Sequence, residues 1–160
     1  METPSGTKPT NPKDAIGSDK VPMHLWPKTA TTLGTMALLE GALKYGRSNW
    51  RAVGIRASIY YDAVDRHMGA WFEGEDIDPD SGLPHLAHAL ASLAIIVDSI
   101  ANGSFNDDRM YPGGYRQLMD SLVPDVTRLK AQYAERTPHH YTIADTEEAT
   151  NGTAAEHRQE

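Results

Sequence analysis

Cysteine is absent from the 160 residues, which excludes disulfides and any thiolate-held metal and leaves His, Asp and Glu as the side chains for metal ligation. Basic charge is scarce as well. Fifteen Lys and Arg stand against 22 Asp and Glu, a net charge of -7, so the surface repels a phosphate backbone and duplex nucleic acid is not expected as a partner. Phosphorylated small molecules stay compatible if divalent cations supply the missing positive charge. There is no secretory apolar segment and no apolar run of about 18 residues, so a cytoplasmic protein without a membrane partner is expected. Alternating strand patterns and internal repeats are missing too. The length suits one domain with a modest core.

What is present is helical periodicity. Residues 29 to 45 follow Pro27, end near Gly46, and place Leu33, Met36, Leu39 and Leu43 on one stripe. Residues 57 to 73 repeat the pattern with Tyr60, Val64, His67 and Trp71. Residues 84 to 101 open on Pro84 and carry Leu86, Leu90, Leu93, Val97 and Ile100, which predicts the central helix. A weaker helix is predicted over 114 to 135, interrupted or shortened by Pro124, with Leu118, Leu122, Val126 and Leu129 on one side. The predicted fold is all-α, a small bundle of about four helices in a single domain over 1 to 136. Residues 1 to 28, rich in proline, read as an extended arm and 137 to 160 as a flexible tail.

The stretch "GEDIDPDSGLPHLAHA", residues 74 to 89, concentrates four acids and two histidines. His85 and His88 lie three apart on one helical face, so both imidazoles can approach a common ion. Glu75, Asp76, Asp78 and Asp80 precede them in a loop with Gly74 and Gly82. His67 points where a core residue points. Packed or solvated side chains are the plain alternative to a mixed nitrogen and oxygen metal site. Carboxylates suit Mg²⁺ or Mn²⁺, and the histidines shift the choice towards Mn²⁺, Zn²⁺ or Fe²⁺.

A second cluster is "EGALKYGRSNW", residues 40 to 50. Glu40 and Lys44 are spaced for an i,i+4 ion pair. In a pocket, Lys44 and Arg47 would instead take phosphate oxygens, Tyr45 and Trp50 would stack on a base, and Asn49 would read a purine edge.

The ordered set "NPKDAIG" (11 to 17), "LLEGALKYGRSNW" (38 to 50) and "RHMGAWFEGEDIDPDSGLPHLAHA" (66 to 89) closely resembles the phage-type dATP/dGTP diphosphohydrolase N-terminal domain family. That resemblance covers residues 11 to about 100. It implies metal-dependent hydrolysis of a purine deoxynucleoside triphosphate to monophosphate and pyrophosphate, in a host cell's cytoplasm if the chain is phage-encoded. A looser kinship with MazG-like all-α pyrophosphohydrolases implies a homo-oligomer. Those relatives hold metal with E-x-x-E and E-x-x-D motifs. Here His85-x-x-His88 stands where E-x-x-D is expected, and the spacing closest to E-x-x-E is Asp62-x-x-Asp65.

On this reading His67, Glu75, Asp78, His85 and His88 hold one or two divalent ions that activate water. Glu75 and Glu40 are the catalytic carboxylates, Glu40 as a further ligand or a general base. Lys44, Arg47 and Arg66 hold phosphates, Asn49 and Trp50 the purine, and Asn11 and Lys13 of the arm close over the nucleotide or pack on a neighbouring subunit. Two alternatives remain. One is a histidine and aspartate phosphohydrolase releasing triphosphate, with His67, His85, His88 and Asp98 as ligands; the other is a non-catalytic, metal-stabilised binding module.

Overall fold

The computed structural model describes Lys13, Gly17 and residues 20 to 146. Asn11, the rest of the arm before residue 20 and the tail beyond residue 146 lie outside the described residues. After a 3-10 turn at Met23–Leu25 the elements are α1 (Lys28–Tyr45), α2 (Asn49–Val53), β1 (Ile55–Arg56), α3 (Ala57–Phe72), α4 (His85–Asn102), β2 (Phe105–Asn106) and α5 (Tyr115–Gln132). The chain is mostly helical, as its periodicity predicts. Two compact units divide between Asp107 and Asp108.

In the first unit α4 is central and packs against both α1 and α3. Its start follows from Pro84, whose ψ of 136° is extended and keeps the preceding chain out of the helix. Gly103, at φ 70°, ends it by receiving the chain in the left-handed region. By length and composition alone, with a mean hydropathy of 1.3, this helix could also cross a membrane. This 18-residue helix corrects the expectation that no apolar run of about 18 residues is present.

The inward faces correct the predicted ones. Ala37, Ala57, Ala87, Ala89, Ala91 and Ile55 are the buried apolar residues among those described, and the core cluster is Ala37, Ala87 and Ala91 with Leu38 and Leu83 against it. The stripe predicted to face the core from α1 instead lies outward, with Leu33, Met36, Leu39 and Leu43 between 41% and 80% exposed. On α4 the same holds for Leu93, Val97 and Ile100. Small residues sit where the helices come close: a Cβ added at Gly34 would already be in contact with the Leu90 Cβ at 3.4 Å, which leaves little room there for a larger side chain.

Two very short strands, absent from the sequence reading, tie the ends of α2 and α4 together. β1 and β2 pair in parallel, Ile55 with Phe105 and Arg56 with Asn106. Gly54 makes the approach possible, since at φ 78° an added Cβ would lie 2.9 Å from the Ser104 carbonyl oxygen.

The second unit contains α5, which runs unbroken through Pro124 and so corrects the predicted interruption. Arg128 pairs with Asp125 at 3.0 Å along it. Beyond it, the Asp145 carboxylate accepts from the Thr142 backbone N–H and contacts His139 Nε2 at 2.7 Å, beside a short helical turn at residues 143 to 146.

Candidate functional site

The acid-rich loop folds back on itself before α4 begins. The Asp78 N–H donates to the Leu83 carbonyl at 2.9 Å, the Gly82 N–H to the Asp78 carbonyl at 2.8 Å and the His85 N–H to the Asp76 carbonyl at 3.0 Å. Ile77 and Pro84 form an antiparallel bridge across its base. This narrow hairpin carries Asp78 and Ser81 to the first turns of α4, where His85 and His88 emerge.

Three histidines meet there. His67 from α3 stacks on His88 at 4.6 Å between ring centres with the planes 14° apart, and its Nδ1 lies 2.9 Å from His85 Nδ1. Two bare lone pairs would repel at that distance, so one of the two rings donates. His85 is buried, and its Nε2 has no hydrogen-bond partner, with Glu75 Oε2 standing off at 3.4 Å. His88 Nε2 lies 2.7 Å from Ser81 Oγ and 3.5 Å from Asp78 Oδ2, while its Nδ1 lies 3.9 Å from Glu40 Oε2. Burial, reinforced by the neighbouring His88 and His85, lowers the pKa of His67 and keeps it neutral near pH 7. Burial alone would raise the Asp78 carboxyl, but the Ser81 hydroxyl, the Asp80 N–H and the nearby histidines outweigh it and hold it below the usual carboxylate range.

Glu40 and Lys44 form the ion pair that their spacing suggested, at 2.5 Å. The Glu40 carboxylate raises the pKa of the Lys44 ammonium, against a smaller opposing effect of burial. Both side chains line a cavity of about 400 Å³ with His67, Asp78, Ser81 and His88. Asn49, Trp50, Tyr45 and Tyr60 line the same space. Burial raises the Tyr60 phenol pKa, so it stays protonated. A second cavity of about 360 Å³, bounded by Val53, Arg56 and Asn106, shares the wall of Asn49, Trp50 and Tyr60.

The structure thus brings Glu40, Lys44, Asn49, Trp50, His67, Asp78 and His88 to one space, with His85 and Glu75 adjoining through the histidine cluster. Lys13, Arg47 and Arg66 are exposed and do not line the cavity, though the Arg66 charge contributes to the lowered pKa of His67. Asp98 does not join the histidines. Ten residues beyond His88, about 15 Å along the helix, it accepts from Trp50 Nε1 at 2.6 Å, from Arg51 at 2.6 and 2.7 Å and from Asn102 at 3.1 Å. Those bonds, Arg51 first, hold its carboxyl down at about 2. Arg51 and Ser81 were missed in the sequence; Arg51 falls just past the stretch ending at Trp50, Ser81 sits among the acids of residues 74 to 89 without standing out from them, and only the hairpin and the α2 to α4 approach reveal them.

For a divalent ion the donor set fits in kind. Imidazoles and carboxylates lie together, and His85 Nε2 is an orphaned buried nitrogen. It is not pre-assembled, because among the described residues no three His, Asp or Glu side chains are grouped to hold one ion.

A helical unit in which α3 and the central α4 each bring one histidine, His67 and His88, to a cavity shared with carboxylates, a lysine and an anchored indole defines a mostly helical protein with a histidine and carboxylate pocket. The chain belongs to the family described as dATP/dGTP diphosphohydrolase, N-terminal, matching over residues 10–109. That segment ends beside the boundary between the two units. A dATP/dGTP diphosphohydrolase from Salmonella phage PMBT28 is 33% identical over 108 residues, which is 66% of this chain and 37% of that protein. The chain therefore matches little more than a third of that relative's length. No solved structure matches it.

Proposed function

We propose that this chain hydrolyses purine deoxynucleoside triphosphates, dATP or dGTP, to the monophosphate and pyrophosphate in a metal-dependent reaction. The observation that carries the reading is that one cavity brings His67, His88, Asp78 and Glu40 together with Lys44, Asn49 and Trp50. Its volume of about 400 Å³ lies in the range of small-molecule sites, and family membership supports the substrate class.

Lys44 is the cation on the cavity wall and takes phosphate oxygens. Trp50 is fixed by its bond to Asp98, so the indole is held in place for stacking on a base, while Asn49 beside it offers a donor and an acceptor. Arg47 and Arg66, which lie outside the cavity wall, would reach phosphates only from its rim, and Asn11 and Lys13 of the arm would close over the nucleotide or pack on a neighbouring subunit. His67, His85, His88, Glu75 and Asp78 would hold the divalent ion, Mg²⁺ or Mn²⁺ with Zn²⁺ or Fe²⁺ as the imidazole-favoured alternatives. When bound, such an ion neutralises triphosphate charge and lowers the pKa of water. Glu40, 24% exposed and within the cavity, accepts the proton of the attacking water. Copies of the chain assemble through apolar helix faces, a reading supported by the outward Leu33, Met36 and Leu39 of α1.

Incubation of the chain with dGTP and Mn²⁺, followed by chromatographic separation of products, tests the reading. Monophosphate with pyrophosphate is expected. Nucleoside with triphosphate would overturn the cleavage position, and unchanged dGTP and dATP would leave a binding module.

A further inference from the structure

We propose that Ser81 is a positioning residue that holds His88 in the tautomer protonated on Nε2, and so presents the Nδ1 lone pair beside Glu40. Its chemical purpose rests on the hydrolase reading above. The hydrogen-bond count that carries it does not.

A hydroxyl has one hydrogen to give and two lone pairs to fill. Ser81 Oγ has three polar neighbours: Asp78 Oδ2 at 2.9 Å, the Leu83 N–H at 3.2 Å and His88 Nε2 at 2.7 Å. The Leu83 backbone N–H can only donate, so it occupies one lone pair. An ionised Asp78 can only accept, so it takes the hydroxyl hydrogen. One lone pair is left, and the Nε2 of His88 must bring the hydrogen to it. The opposite arrangement, with Ser81 donating to His88, would set a serine lone pair against a carboxylate oxygen at 2.9 Å with no hydrogen between them.

A neutral imidazole carries one N–H, so fixing it on Nε2 leaves Nδ1 bare. The separation of 3.9 Å between Nδ1 and Glu40 Oε2 agrees, because a hydrogen on Nδ1 would draw that carboxylate into a bond. The stacked His67 ring fixes the plane, and the hairpin bonds between Asp78, Gly82 and Leu83 fix the serine. The result is an imidazole nitrogen with a defined direction and protonation, beside a carboxylate, in the same cavity as Lys44. An outer hydrogen-bond partner commonly sets the tautomer of a histidine that binds a metal or a proton.

The test is ¹⁵N NMR on the full chain with labelled histidine, at about pH 8 where an imidazole is neutral, the His88 signals being assigned by their loss in His88→Gln. Protonated Nε2 and bare Nδ1 are expected for His88. In Ser81→Ala the two nitrogens should average or exchange roles, and Ser81→Thr, which keeps a hydroxyl, should restore the original pattern. Turnover of dGTP should fall about 10- to 100-fold in Ser81→Ala and recover in Ser81→Thr, the range typical for such supporting contacts. A hydrogen on Nδ1 in the unaltered chain overturns the proposal even if Ser81→Ala fails to fold. So does a His88 pattern unchanged in a folded Ser81→Ala. The expected spectrum in a chain that leaves dGTP and dATP intact would uphold the tautomer and remove the hydrolase reading instead.

Discussion

The Asp98 carboxylate receives hydrogens from Trp50, Arg51 and Asn102, and at about 2 its pKa lies well below that of a free carboxyl. A group with a depressed folded-state pKa contributes stability above its unfolded pKa, and loses it as pH falls through the folded one. The window here runs from about 4 down to about 2. Arg51→Ala removes the largest cause, so the Asp98 carboxyl should titrate nearer 4 in a ¹³C NMR series. A value unmoved from about 2 would assign the shift to Trp50 and Asn102. Lys44 offers a cleaner separation of charge from packing. Lys44→Met keeps most of the stem and removes the ammonium, so calorimetric titration with dGTP should show affinity about tenfold weaker, as for one lost charge-assisted bond. Unchanged affinity would confine Lys44 to its pair with Glu40.

At the scale of elements, the small residues on facing sides of α1 and α4 decide the packing. Ala87 is fully buried between helices, so Ala87→Leu should destabilise the first unit by about 1–3 kcal/mol in urea unfolding, the usual cost of overpacking. Leu93→Ala, on the outward stripe, should cost less than about 0.5 kcal/mol in the isolated chain, as surface substitutions do. Helix extents were legible in the sequence because Pro27, Pro84 and Gly46 mark ends and the apolar spacing is regular. The inward face was not legible, since periodicity favours leucine while close approach selects alanine and glycine. The histidine trio was half legible: spacing paired His85 with His88, and the apolar stripe pointed His67 inward. Ser81 carried no signal, because a serine in a polar loop looks alike whether it contacts water or a histidine. Arg51 and Asp98 are 47 residues apart, and nothing local links them.

For the whole molecule, the outward stripe of α1 predicts association. Light scattering at micromolar concentration should report a mass above that of one 17.6 kDa chain, and Met36→Glu with Leu39→Glu should lower it while leaving helical circular dichroism unchanged. A single-chain mass for the unaltered protein would assign those leucines to another surface role. The matched family segment and the first compact unit end within a few residues of each other, so the site belongs to a piece of chain with its own core.

Ala37 and Ala91 are both core residues and cavity wall, and Leu38 lies against the core on the same wall. The interior of this unit is therefore unfinished on one side, and whatever occupies the cavity becomes its last packing partner. Filling the space joins recognition to cohesion: a molecule bound only to the folded chain at a hundred times its dissociation constant adds about 2.7 kcal/mol to stability. The same alanines set a ceiling on change, since a larger side chain at either position would occupy the room the guest needs. In such a wall, selection for binding and selection for folding act on the same few methyl groups.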